Sequence, residues 1–217
     1  MSNQFISNLT RLSKDNLQAA YDEMAPTYNR QLWFDQHLLG VKRLRRQLMS
    51  QATGDVLDVA CGTGLNFARF GKIAALTAVD LSPEMLAIAA QEAEKTGLEA
   101  TLLPMDAEAL TFADNSFDTV VSALSTCTFP DPVAALREMG RVCKPAGRIL
   151  LLEHGRSSLR PLAHYQDRKA QAHYEKAAGC RWNQNPVALV QRAGLPILSA
   201  KRITFGVFHA IQAVPDQ

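Results

Sequence analysis

From residue 54 onward, short apolar runs alternate with stretches of helical spacing. The runs are DVLDVA (55–60), AALTAVD (74–80), ATLLP (100–104), FDTVVSAL (117–124) and RILLLEH (148–154). Parallel strands need crossovers that cover both faces, so this alternation predicts a parallel sheet with helices on each side. Between the second and third runs, SPEMLAIAAQEAEKTG (82–97) has Ser82 as N-cap, Pro83 at the first helical position and Gly97 to close it. DPVAALREMGRVCK (131–144) repeats the device with Asp131 and Pro132. The last stretch, ILSAKRITFGVFHAIQAV (197–214), has extended segments on either side of Gly206 and predicts a hairpin that adds antiparallel strands to the sheet.

Two regions fall outside this rhythm. Residues 10–50 read as helices. Within them KRLRR (42–46), with Val41, Leu44 and Leu48 on one side, predicts a helix with a solvated basic face. Residues 156–195 are rich in His, Tyr, Arg and Gln, too polar to be all core. Their size suits a cap over the carboxyl edge of the sheet.

Composition narrows the class. The 217 residues are enough for one α/β domain, and 47 % hydrophobic residues allow a real core. A net charge of +2 does not suggest a nucleic-acid partner. No apolar run reaches the ~18 residues of a membrane span. The opening MSNQFISNLTRLSKD lacks a signal-peptide core, so a cytoplasmic chain is expected. Cys61, Cys127, Cys143 and Cys180 are scattered with no C-x-x-C pair, which argues against zinc and against a disulfide framework. Peripheral membrane contact and oligomeric state stay open.

The chemistry is expected at the carboxyl ends of the strands, where open parallel sheets bind ligands. The first strand runs into VLDVACGTGLNF (56–67), with Gly62 and Gly64 flanking Thr63. Glycines there let a ligand approach the backbone closely. Phe67 stands where a dinucleotide fingerprint has its third glycine, and no Gly-Lys-Ser/Thr follows, so the loop suits a nucleoside-like ligand without a pyrophosphate. Asp80 ends the second strand, 22 residues after Asp58, and can accept both ribose hydroxyls of a nucleoside. Asp106 after the third strand can accept from an adenine amino group, with the N–H of Ala107 reaching a ring nitrogen. Ser122, Ala123 and Leu124 would line the same crevice with backbone.

The pieces VLDVACGTG, AVDLSPEML, MDAEALTFADNSFDTVVSA and LREMGRVCKPAGRILLLEHG, in this order over residues 54–155, resemble the class I S-adenosylmethionine-dependent methyltransferases, in their ubiquinone/menaquinone-type branch. The resemblance implies a Rossmann-like α/β sandwich whose seven-stranded, mostly parallel sheet ends in an antiparallel hairpin. It implies S-adenosylmethionine as cofactor and contacts at Asp58, Ala60, Gly62, Gly64, Asp80, Leu81, Met85, Asp106, Ala107 and Ala123. Ala60 departs from the family, where many members carry glycine, and is small enough to leave binding intact. YDEMAPTYNR (21–30) is similar to a lid segment of that branch, with Tyr28 as the aromatic over the cofactor and Tyr21 as a second candidate. One domain is expected: a lid over 1–50, a cofactor core over 54–155, a cap over 156–195 and the hairpin over 196–217.

SALSTCTFPDP, LLLEHGRSS and GCRWN are similar to a fungal mitochondrial methyltransferase-like group and to the animal alkyl-thiol methyltransferases. The acceptor expected from this is a small molecule, with a lean to a thiol. A quinol or phenol methylated on oxygen or carbon, or a phospholipid headgroup methylated on nitrogen, are the alternatives. Cys127 stands where quinone-ring methyltransferases carry Arg, and would line the acceptor pocket. His154, ending the fifth strand, is the candidate base for an acceptor that must lose a proton. His164, His173, Tyr165, Tyr174 and Trp182 fall in the cap segment. No Asn/Asp-Pro-Pro-Tyr/Phe motif follows the fourth strand, which weighs against base-amino methylation of nucleic acid. A cofactor-binding module without catalysis is the reading from another class.

Overall fold

The computed structural model describes residues 12–33, 37 and 39–216, so most of the polar opening run lies outside the described residues. Seven strands form one sheet: β1 Asp55–Val59, β2 Ala75–Asp80, β3 Ala100–Pro104, β4 Phe117–Ala123, β5 Cys143–His154, β6 Ile197–Ile203 and β7 Phe208–Ala213. Their order is β3-β2-β1-β4-β5-β7-β6. The pairs among β1 to β5 are parallel, and β7 lies antiparallel between β5 and β6. This is the parallel sheet with a terminal hairpin that the pattern predicts, in the seven-stranded, Rossmann-like form that the resemblance implies. The order reverses at β1, between β2 and β4, which puts a crevice at the carboxyl end of β1.

The helices are α1 Lys14–Met24, α2 Tyr28–Gln31, α3 Val41–Met49, α4 Pro83–Thr96, α5 Pro132–Val142, α6 Arg160–Lys176 and α7 Pro186–Arg192. The caps work as the sequence implies: Ser82 accepts from Met85 N–H, Gly97 closes α4 in the left-handed region, and Asp131 accepts from the N–H groups of Val133 and Ala134. One core joins β1, β4 and β5 to α5 and α7 through Leu57, Val120, Leu136, Leu151 and Val190. A second lies on the other face, where Val41, Leu44, Leu86 and Ala89 cover Val56, Ala78 and Leu150.

Four details differ from the sequence reading. β5 begins at Cys143, which pairs with Phe117 ahead of a register shift, so Pro145 and Gly147 lie within the strand. After the glycine loop comes only a 3-10 turn, Phe67–Arg69, in place of an α-helix. Arg45 in the basic run is buried, since α3 turns it inward beside Leu44 and Leu48. The end of the expected cap is core: α7 sets Val190 among the buried residues of α5 and β5.

Candidate functional site

At the carboxyl end of β1, β2 and β3 lies a cleft that is partly open to solvent and lined by both apolar and polar side chains. Its floor comes from the strand ends and the first turn of α4: Ala60, Gly62, Asp80, Leu81, Met85, Asp106, Ala107 and Ala123 all line it. Tyr21 and Tyr28 close it from the N-terminal helices, their ring centroids 6.1 Å apart. The structure thus brings together nine of the eleven expected cofactor residues, counting Tyr28, and leaves Asp58 and Gly64 outside the lining.

Asp80 anchors the floor. Its Oδ2 accepts from Gly62 N–H at 2.8 Å and its Oδ1 from Ser82 N–H at 2.9 Å. The carboxylate therefore fixes the glycine loop against the start of α4 while facing the cavity. Burial raises its pKa, and the backbone N–H donors work against that rise. Gly62 has φ +57, and a Cβ there would meet nothing nearer than Tyr28 Cε1 at 3.9 Å. The backbone is open to a ligand just where the tyrosine covers it. Ala60 also has positive φ, +54. What the family's glycine would relieve at this position is backbone conformation, which the small size of alanine does not address.

Asp58 and Gly64 have other roles. Asp58 is fully buried, and both its oxygens accept from Asn66 Nδ2, at 3.1 and 3.0 Å. Asn66 Oδ1 in turn accepts from Arg45 Nη1 at 2.6 Å. This buried chain of Arg45, Asn66 and Asp58 braces the underside of the glycine loop. Burial pushes Asp58 up to about 7, against the pull of the Asn66 hydrogen bonds and of Arg45. Gly64 sits against the Phe67 ring, 2.8 Å from where a Cβ would be.

Several side-chain contacts fasten the N-terminal helices. Asp22 Oδ1 accepts from Ser82 Oγ and from Glu84 N–H, the latter at 3.3 Å. Thr63 Oγ1 donates to Asn29 Oδ1 at 2.6 Å. Lys14 bridges Asp106 and Glu108, 3.0 Å from Glu108 Oε2. Lys14, Asp22 and Asn29 escape a reading of local pattern, because their partners lie 34 to 94 residues away.

The loop after β4 supplies Leu124, Ser125, Thr128, Phe129 and Pro130 to the lining. Cys127 lies in that loop, but is buried and absent from the lining. Arg181 holds it from behind, its N–H and Nε both donating to Cys127 O, at 3.0 and 3.1 Å. Cys180 Sγ lies 3.4 Å from His154 Nε2. The donor atoms of Cys127, His154 and Cys180 all fall within 4.8 Å of one another. A hydrogen bond with Cys180 and burial push the Cys127 thiol well above its ordinary range. Cys127 and Cys180, which look scattered in sequence, therefore meet in space. Both reach the cavity wall electrostatically, since burial and then Tyr28, Cys127 and Cys180 raise the Tyr21 phenol. Trp182 faces the cap's own interior: it stacks on His173 with centroids 4.1 Å apart, and its Nε1 donates to Gln166 O at 3.0 Å.

Residues 57–151 match the family described as methyltransferase domain. The mitochondrial methyltransferase OMS1 of Saccharomyces cerevisiae is 29 % identical over 212 residues, 89 % of this chain and 45 % of that protein. A phosphatidylethanolamine N-methyltransferase of Cereibacter sphaeroides is 39 % identical over 128 residues, 58 % of this chain and 62 % of that one. A demethylmenaquinone methyltransferase of Thermus thermophilus is 39 % identical over 139 residues, 61 % of this chain and 63 % of that one. The chain thus spans 45 to 63 % of the length of these relatives. Among solved structures, the [4+2]-cyclase SpnF superimposes with a TM-score of 0.72 over 97 % of this chain and 100 % of that one, at 20 % identity, a likeness of fold. Among the described residues, no helix is long and apolar enough to cross a membrane.

Proposed function

We propose, from the methyltransferase domain that this chain carries across residues 57–151 and the S-adenosylmethionine that such domains use, that the protein transfers a methyl group to a small-molecule acceptor. The observation that carries this reading is the strand-end floor, in which Gly62 N–H is bound to Asp80 and Asp106 faces the same cavity. The residues fit the cofactor. Asp80 would take the ribose hydroxyls, Asp106 and the N–H of Ala107 the adenine edge, and the backbone from Ala60 to Gly62 the methionine end under Tyr28. When bound, S-adenosylmethionine supplies an activated sulfonium methyl for in-line displacement.

What the chain must then add is position and dryness, and orientation alone can lower such a barrier by ~7–11 kcal/mol. Tyr21, Tyr28, Leu17 and Phe129 form an apolar wall that would exclude water and receive the apolar body of an acceptor. We take the side nearest Cys127, His154 and Cys180 as the acceptor end, where a thiol is one acceptor to test. A second reading takes an amine, quinol or phenol as acceptor. It is favoured by the names of the phosphatidylethanolamine and demethylmenaquinone methyltransferases.

Calorimetry with S-adenosylmethionine and its demethylated product tests the first step. Both should bind, and Asp80→Ala should weaken both by the ~1.5–3 kcal/mol of a charge-assisted hydrogen bond. Wild-type affinity in that variant would end the ribose assignment. Turnover of labelled cofactor across thiols, quinols, phenols and phospholipid amines would then sort the acceptors, and no turnover with any of them would favour a binding module.

A further inference from the structure

We infer that Cys127, His154 and Cys180 form a zinc site with a fourth position open to a small thiol. The three donors come from three segments: the loop after β4, the last residue of β5 and the loop after α6. Their ligand atoms already lie within 4.8 Å of one another, with Cys180 Sγ and His154 Nε2 at 3.4 Å. A tetrahedral zinc with sulfur at ~2.3 Å and nitrogen at ~2.0 Å sets its donors about 3.5–3.8 Å apart. From the observed spacing, closing the set takes side-chain movements on the order of an ångström.

The surroundings hold the donors in place. Cys127 is 2 % exposed, and Arg181 fixes its carbonyl with two donors. Gln184 Nε2 binds Thr126 Oγ1 at 3.0 Å and so ties the loop after α6 to the residue preceding Cys127. His154 is held by the β5–β7 ladder, opposite Phe208. Two thiolates and one imidazole are a donor set that zinc prefers over hard-oxygen metals. Three protein ligands are also the number that leaves a position for an exogenous one.

Binding is written as Zn²⁺ plus the two thiols giving a bis-thiolate zinc centre and two released protons. A small thiol entering the fourth position releases a third proton and is held as its thiolate. The loop that carries Cys127 also supplies Ser125, Thr128 and Phe129 to the cavity lining, so the three donors lie next to the cavity wall. The metal site does not depend on the methyl-transfer reading. The choice of a thiol as exogenous ligand rests on that reading for its use, and the test involves no cofactor.

The test is titration of the reduced, metal-free full chain with Co²⁺, followed by absorption. One cobalt should bind per chain, with the visible bands of tetrahedral coordination and a near-ultraviolet thiolate-to-cobalt band. That band should fall by half in Cys127→Ser and in Cys180→Ser, vanish in the double variant and persist in Cys143→Ser, whose thiol lies elsewhere in the core. Excess Zn²⁺ should bleach it. Adding 2-mercaptoethanol should raise the wild-type band by about half, the third thiolate of a four-coordinate centre. No thiolate band in the wild-type chain, or a band that survives the double variant, overturns the metal site. A wild-type band that 2-mercaptoethanol leaves unchanged overturns the open thiol position. The wild-type spectra decide even if a variant misfolds. A chain that methylates but binds no cobalt would remove the site and leave the methyltransferase reading standing.

Discussion

Single residues in the loop after β1 carry opposing demands, and the two glycines separate them. Gly62 and Gly64 both hold positive φ, +57 and +78, where an L-residue costs roughly 1–2 kcal/mol. Beyond that shared cost their surroundings diverge. A Cβ on Gly62 meets Tyr28 at 3.9 Å, an ordinary contact, whereas one on Gly64 meets the ring of Phe67 at 2.8 Å. Phe67 is itself 2 % exposed and has nowhere to retreat. Gly62→Ala should therefore lower stability by the conformational cost alone, ~1–2 kcal/mol, while Gly64→Ala should cost a further ~1–3 kcal/mol for overpacking. Urea unfolding of both variants checks this, and equal losses would contradict it. Ala60, left-handed at φ +54, shows that this loop already tolerates one such residue.

At the level of elements, what was legible in the sequence and what was not divides by range. Ser82, Pro83 and Gly97 announce α4, and Asp131 and Pro132 announce α5, because a cap and the helix it serves are neighbours in the chain. Asp80 and Asp106 were legible for a related reason: one ends a strand, the other follows one by two residues, and parallel strands end on the same edge. Arg45 was hidden, because in sequence it sits in a basic run and only Asn66, 21 residues on, explains its burial. Cys180 was hidden likewise, since nothing local marks a thiol that meets His154. The same long-range logic governs the N-terminal helices, whose sequence names an aromatic lid but none of its fastenings. Asp22 joins α1 to the first turn of α4, and removing it deletes two hydrogen bonds, each worth ~0.5–1.5 kcal/mol. In Asp22→Ala the amides of α1 should exchange with deuterium several-fold faster, those of β1 and β4 should not change, and added cofactor product should restore part of the protection. Unchanged exchange in α1 would mean that Lys14 and Asn29 hold the lid without it.

For the molecule as a whole, the braced glycine loop links stability to pH. Asp58 is buried beneath the site with a pKa raised from 3.8 to about 7, the cost of desolvating its charge outweighing the help of Asn66 and Arg45. The folded chain therefore binds a proton at Asp58 between about pH 4 and pH 7 where the unfolded chain does not. In that window the linkage slope is negative: Asp58 contributes most below its unfolded pKa, and the contribution is lost as pH rises through about 7. Three pKa units correspond to a contribution on the order of 4 kcal/mol. Asp58→Asn keeps an oxygen to accept from Asn66 and removes the titration. Groups remote from Asp58 titrate alike in both chains, so the difference between them reports Asp58 together with its coupling to the Asp80 carboxylate. Relative to wild type, the variant should be least stable near pH 4, gain steadily up to about pH 7 and then level off, as read from urea unfolding at constant ionic strength. Arg45, lowered to about 10 chiefly by burial, stays charged across the whole range and does not distort the comparison. A stability difference that is flat with pH would mean that Asp58 is already ionised throughout, with Arg45 and Asn66 offsetting its burial in full. The brace under the loop would then be a charge pair at every pH.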